Sequence, residues 1–268
     1  MDNSQSVSAS VAEQWLEQAE FLSLNASLDY IDLIINLAGK DRTGSDIFSH
    51  MTPEIRYASL FEGMPEEGLK DEGAFVARFY WSEWQHKMFL ADLMRYWSSS
   101  RLMLVISPLV FDEMKAQLLA ASQFTWGNQT GIFRFYDSRI FPELFSHVLS
   151  EEQQALFTRI AFYWGWLDRD ECQTWKQGSM GPGSTVIPES TKLTLTDRQI
   201  ETIGCISDAD VLARSLFRED MSREVIFRNC FEAALAASRE EFWGELAEYV
   251  QQCEWFSDPP LPELTGQC

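Results

Sequence analysis

The residues able to do chemistry are few and scattered. Three histidines, His50, His86 and His147, and five cysteines, Cys172, Cys205, Cys230, Cys253 and Cys268, are the only side chains of those two types. Zinc sites draw ligands in pairs such as CxxC, HxxxH or HExxH, because two donors one turn apart reach the same ion. No such pair occurs, so no metal site is expected. An odd cysteine count at wide spacing reads as free thiols in a reducing compartment. GxSxG, P-loop, GxGxxG and kinase signatures are also missing, which removes the usual marks of an activated serine or a phosphate cradle. Glu66-Glu67, Glu151-Glu152 and Glu240-Glu241 are adjacent pairs, and neighbours on a helix point about 100° apart instead of sharing a site. No catalytic residue and no cofactor are expected.

The most distinctive stretch is Gly131-Ile-Phe-Arg-Phe-Tyr-Asp-Ser-Arg139. Read as a strand, it sends Phe133, Phe135 and Asp137 to one face and Ile132, Arg134 and Tyr136 to the other. Asp137 and Arg139 then fall where the strand gives way to a helix. A carboxylate there caps the helix or holds an arginine in a bidentate pair. As a base or metal ligand it lacks partners, so a role in the integrity of the fold is expected.

The elements that position these residues follow from periodicity. Val11, Trp15, Ala19 and Leu22 have helical spacing behind Ser8 and Ser10. Buried strands are expected over residues 30–37, 56–61, 74–80 and 102–107, the last stopped by Pro108. Helices are expected over 82–97, 109–121 and 142–149. Ser150 with Gln153, and Thr196 with Gln199, form capping boxes that open two more helices. Gly127-Asn128 marks a turn. Strands alternating with helices across residues 28–149 predict an α/β lobe, residues 1–176, whose mixed sheet is partly parallel. Residues 177–190 hold three glycines and two prolines and read as a linker or long loop. Beyond it the spacing is helical, which predicts an all-α C-terminal lobe over 191–256 and an irregular, proline-bearing tail over 257–268.

Composition narrows the class. The 268 residues are 46% hydrophobic and 23% charged, as in globular proteins. With 41 Asp and Glu against 21 Lys and Arg, the net charge is −20. A field of that sign repels phosphate backbones and anionic lipid, so nucleic acid and membrane surfaces are excluded as partners. The start MDNSQSVSAS lacks the basic and apolar regions of a secretory signal, and no run approaches a membrane span; a cytoplasmic protein is expected. The 10 Trp, 7 Tyr and 19 Phe exceed what a core this size needs, leaving aromatics for a partner.

RYASLFEG (56–63), LMLVISP (102–108) and GIFRFYDSRIF (131–141) resemble, in order, the motifs of the type VI secretion effector chaperone or adaptor family, which is built on a domain of unknown function. The resemblance places Leu60, Phe61, Glu62 and Gly63 in one motif and Phe133, Arg134, Tyr136, Asp137 and Arg139 in the other. Ser138 stands where the family has proline, and Asn36 where it has aspartate. Such a protein is implied to bind a toxic effector in the cytoplasm and load it onto the valine-glycine repeat spike protein, VgrG, without catalysis. Two alternatives are an immunity protein that masks a toxin and a hydrolase assembled from Asp137, Glu62 and His86. The effector surface expected from the aromatic surplus comprises Phe242, Trp243, Tyr249 and Trp255, because adjacent aromatics on one helix cannot both face a single packed side.

Overall fold

The structure, a computed structural model, describes residues 8–64, 67–97, 99–181, 192–216 and 218–252. The chain runs α1 (Ala9–Asn25), β1 (Tyr30–Asn36), α2 (Gly44–Phe48), β2 (Arg56–Ser59), β3 (Ala74–Tyr80), α3 (Trp84–Tyr96), β4 (Leu102–Ile106), α4 (Phe111–Ala121), β5 (Gln123–Trp126) and β6 (Gln129–Ile132). It continues with α5 (Phe141–Glu143), a π-helical turn (Leu144–Val148), α6 (Glu151–Thr158), β7 (Tyr163–Leu167), β8 (Gln173–Gln177), β9 (Leu193–Thr194), α7 (Asp197–Ser215), α8 (Arg223–Arg239) and α9 (Leu246–Gln252).

An α/β N-terminal region and C-terminal helices are present as the sequence pattern requires. The central sheet has six strands in the order β2-β3-β1-β4-β7-β8, and every pairing in it is antiparallel. The parallel component lies elsewhere, where the short β9 pairs with β5 in a second sheet ordered β6-β5-β9. Antiparallel neighbours are compatible with helical connections here because α2 and α3 each join two strands that run the same way and skip the antiparallel strand between them, β1 to β2 across β3 and β3 to β4 across β1.

Alternation on the central strands builds two cores. Ile31, Leu33 and Ile35 of β1, with Leu102, Leu104 and Ile106 of β4, face α1, α2 and α3. Ile34, Met103, Val105, Trp164 and Trp166 face the other way. That second core is continuous with Ile206 of α7 and Phe227 and Phe231 of α8, so the C-terminal helices pack on the sheet through one shared apolar interior. Among the described residues no strand follows β9.

The helix starts obey local chemistry. Ser8 accepts from the Val11 amide, and both expected capping boxes form. The two boxes also meet in space: Gln199 donates to Gln153 Oε1 at 2.6 Å and to the Val148 carbonyl at 2.8 Å, while Gln153 donates to the Thr194 carbonyl at 2.7 Å. Two glutamines that satisfy helix N-termini thereby also join α6 to α7. The segment expected as a linker begins firmly, since the Gly178 and Ser179 amides donate to the Phe162 and Thr158 carbonyls. A Cβ on Gly178 would lie 1.9 Å from the Ala161 carbonyl oxygen. Residues 182–190 of that segment and the tail over 257–268 lie outside the described residues. Cys172 is disulfide-bonded, which corrects the reading of all five cysteines as free; Cys205 and Cys230 are free and buried.

One buried pair in the sheet escaped the sequence reading. Asp32 of β1 and Arg78 of β3 stand directly opposite, 0% and 4% exposed. Arg78 Nε and Nη2 donate to the carboxylate at 2.8 and 2.7 Å, and Nη2 also reaches the Leu109 carbonyl at 2.9 Å. The guanidinium lies 3.9 Å from the Tyr30 ring centroid, and Tyr30 donates to the Ser107 carbonyl. Removing one partner strands a buried charge, which costs about 3–5 kcal/mol, whereas replacing both by apolar residues of similar volume is often neutral. Arg78→Met is therefore expected to lower stability by about that amount in urea unfolding, and Asp32→Leu combined with Arg78→Met to recover most of the loss.

Candidate functional site

The first motif is a turn that closes β2. Leu60 is buried and its amide donates to the Ala74 carbonyl at 2.8 Å, extending the β2–β3 ladder by one residue. Phe61 is buried against Gly73, where a Cβ would come within 2.5 Å of its ring. Gly63 has φ +72°, a left-handed conformation that a side chain disfavours. Glu62 is exposed and pairs with Lys115 of α4. Three of the four motif residues thus shape the backbone, and the fourth fastens it to a helix.

The second motif departs from the expected strand. Strand β6 ends at Ile132, the Phe133 amide makes a last ladder bond to the Ser122 carbonyl at 2.8 Å, and the chain then forms successive tight turns: the Phe135 amide donates to the Phe133 carbonyl, Asp137 to Arg134, and both Ile140 and Phe141 to Asp137. Phe133, Phe135, Tyr136 and Asp137 are all buried, and Arg134 alone is well exposed. The alternation of faces fails because the chain coils instead of extending, which lets three aromatics enter one cluster with Phe141, Phe157 and Trp164. Burial pushes the Tyr136 hydroxyl up to about 12. Ser138 is buried and donates to the Ser99 carbonyl, and Asn36 accepts from the Ala38 amide.

Asp137 organises the charges. Of the two roles open to it, it takes the bidentate one: Arg139 donates to it through Nε at 2.9 Å, Nη2 at 2.7 Å and its own amide at 3.1 Å, and Arg134 approaches at 3.5 Å. Its carboxylate is 1% exposed and filled by donors, so it has no free face for a substrate or metal. Arg139 spends its remaining nitrogen on Asp210 of α7 at 2.9 Å. The Arg139 carbonyl in turn accepts from Arg169 Nη2 at 2.7 Å.

Arg169, in the β7–β8 turn, is the functional residue that sequence reading missed. It is 9% exposed, with its guanidinium 3.3 Å from the Phe227 ring centroid. It donates to Glu224 of α8 at 3.2 Å and lies 3.6 Å from Glu143. The adjacent Asp170 accepts from the Arg223 and Glu224 amides at 2.7 and 3.2 Å, capping α8 from another element. The only signal in the sequence was the dense charge of Asp168-Arg169-Asp170-Glu171, which reads equally well as a solvated turn. Arg139 and Arg169 are therefore two cationic bolts that fix α7 and α8 to the α/β region.

The residues of the hydrolase alternative are not brought together. His86 is buried in α3, accepting from the Tyr80 amide at Nδ1 and meeting the Pro53 carbonyl at Nε2. It meets Phe79 edge-on at the α1–α3 face of the sheet, whereas Asp137 lies with Phe135 and Tyr136 on the opposite face. Among the described residues no three His, Cys, Asp or Glu side chains are placed to hold a metal ion, and no helix is long and apolar enough to cross a membrane.

The aromatic candidates divide. Trp243 is 96% exposed. Phe242 is half-buried, its ring 5.2 Å from that of Tyr249, and Tyr249 is buried with Ala233, Ala237 and Val250. The neighbours point apart as expected, but in the loop between α8 and α9, where Glu241 takes φ 52°, and not on a helix. Trp255 lies outside the described residues.

Residues 38–156 match the family model described as a domain of unknown function (DUF4123). The match contains both motifs and ends inside α6, so it spans less than half of the chain. No curated protein and no solved structure matches. The C-terminal helices with Asp210 and Glu224, and the loop that carries Trp243, lie beyond the matched segment, and Arg139, Val148 and Gln153 are matched residues that reach across to α7.

Two outcomes follow from the ion network. Asp137→Ala leaves Arg139 without its main acceptor and is expected to lower stability by about 2–3 kcal/mol in urea unfolding, with circular dichroism showing whether the fold persists. Burial, opposed by Arg169 and reinforced by Glu224, pushes the Glu143 carboxyl from 4.5 up to about 7. Between those values the folded chain keeps a proton that the unfolded chain has released. Its contribution is thus full below pH 4.5 and is lost as pH rises through 7. Relative to wild type, Glu143→Gln is expected to gain roughly 3 kcal/mol between pH 4.5 and 7, read as a flatter dependence of the urea midpoint on pH.

Proposed function

We propose that this protein is a non-catalytic adaptor that binds a toxic effector of a type VI secretion system in the cytoplasm and loads it onto the VgrG spike. The reading draws on the matched segment and on the motif resemblance of residues 56–63, 102–108 and 131–141. The observation that carries it is the disposition of the polar motif residues: Asp137 and Arg139 are consumed in holding α7 to the α/β region, while Trp243, the most exposed large apolar side chain among the described residues, stands in the loop that joins α8 to α9. A protein of this kind acts through surfaces whose geometry must be rigid, and the ion network supplies the rigidity. An exposed tryptophan has the hot-spot character of an interface anchor.

Co-expression of the tagged chain with the toxin encoded beside its gene tests the proposal. Stable co-purification of the toxin is expected, with VgrG joining the complex. Trp243→Ala should weaken toxin binding at least tenfold, about 1.4 kcal/mol, with melting unchanged. Cells lacking the protein should fail to export that toxin. Protection from the toxin without any effect on its export would instead identify an immunity protein.

A further inference from the structure

The helix α3 has an exposed side that its amphipathic role does not require. Trp84, Met88 and Tyr96 are 64%, 57% and 69% exposed, at positions i, i+4 and i+12, so they share a ridge about 18 Å long. Polar residues belong on the solvent face of such a helix, and the interior of α3 is already filled by His86, Leu90, Leu93 and Met94. The ridge widens at one end. Ion pairs from Glu13 to Arg95 and from Glu20 to Lys87 set α1 antiparallel to α3. The last turn of α1, with Phe21 and Leu24 more than half exposed, therefore lies beside Trp84 and Met88. At the other end a groove of about 450 Å³ opens among Phe89, Tyr96 and Trp97, with Arg42, Asp46 and Asp92 at its edges. Scattered single apolar residues on a surface are ordinary, but a contiguous set of this size marks an interaction site.

Charge states what kind of partner fits. Of the cations bordering the ridge, Lys87 and Arg95 are already matched by Glu20 and Glu13, and Arg42, at the edge of the groove, also faces Asp46. Glu17 lies midway between those two glutamates on the same stripe of α1, and Asp92 sits within the ridge between Met88 and Tyr96. Both are exposed, and among the described residues neither has an ion-pair partner or a hydrogen bond. Residues 1–39 contain no lysine or arginine at all. An apolar ridge with two unmatched carboxylates at its middle is complementary to an apolar face interrupted by a cation.

We propose that the α3 ridge, together with the last turn of α1, docks an amphipathic helix that carries lysine or arginine beside its apolar face. The identity of that helix as part of the cargo rests on the adaptor reading; the recognition chemistry does not. The ridge lies on the face of the sheet opposite α7 and α8, so it is separate from the surface around Trp243, and the molecule presents two binding faces.

The test titrates the full chain with a fluorescein-labelled 18-residue amphipathic peptide of leucine and lysine, and with a scrambled peptide of the same composition, by fluorescence anisotropy. The amphipathic peptide is expected to bind at least tenfold more tightly than the scrambled one. Met88→Glu and Asp92→Lys should each weaken it at least tenfold, and Val211→Glu, at an equally exposed apolar site on α7, should leave it unchanged. Circular dichroism and melting establish that each variant is folded. Equal binding of the two peptides would reduce the effect to attraction by the net charge and overturn the proposal, as would indifference to Met88→Glu. A wild-type dimer in sedimentation that Met88→Glu dissociates would overturn it in favour of a second copy of this chain. A toxin that co-purifies equally with Met88→Glu would sink the assignment of cargo to this ridge while leaving the adaptor reading intact; absence of any toxin would sink the adaptor reading and leave the peptide result to decide the ridge.

Discussion

A guanidinium partly withdrawn from water keeps its charge cheaply when its nitrogens find acceptors, and Arg139, 26% exposed, finds them by bridging two parts of the chain. One edge closes on Asp137, two residues away, and freezes a coiled loop; the remaining nitrogen reaches Asp210, 71 residues further on. Arg169 bridges from the β7–β8 turn through its two terminal nitrogens, accepted by Glu224 and the Arg139 carbonyl and resting on Phe227, while its buried Nε makes no hydrogen bond. Because the backbone carbonyl of Arg139 accepts from Arg169, the two bridges are one network. Its acceptors sit on α7 and α8, so the helices cannot shift on the sheet without breaking several charge-assisted contacts at once.

The apolar interior and the ion network depend on each other. The coil of residues 133–140 brings Phe133, Phe135 and Tyr136 into the same cluster as Trp164, and that coil is held by Asp137. The cluster continues into Phe227 and Phe231, which in turn lie over Arg169 and beside His147. Hydrophobic burial is non-directional and would accept many placements of two helices on a sheet. The charged contacts are directional and select one. A surface on α8 and its following loop, where Trp243 stands, is then displayed in a fixed relation to the opposite face formed by α1 and α3.

Much of this was legible in the sequence where the signal is local. Ser8, the Ser150–Gln153 and Thr196–Gln199 boxes, and the Gly127-Asn128 turn declare themselves within four residues and appear as expected. The strand read through Gly131–Tyr136 holds only as far as Ile132, because alternation of aromatic and charged residues is shared by strands and by compact turns; beyond it the Asp137–Arg139 pair holds the chain in a coil. Asp32 and Arg78 interrupt otherwise apolar strands, and a buried charge of each sign in neighbouring strands is a pairing signal that could have been used. The antiparallel order of the large sheet was hidden for a different reason, since helical connections are compatible with either direction. Trp243 was singled out on a helix argument, yet its exposure comes from a loop whose turn at Glu241 the sequence does not mark.

Native-state hydrogen exchange on the full chain tests whether the Arg139–Asp137–Asp210 network makes the C-terminal helices and the sheet one cooperative unit. The most protected amides of α7 and α8 are expected to exchange with the same opening free energy as those of β1 and β4. Exchange of α7 and α8 through a separate, lower-energy opening, with the sheet still protected, would contradict it.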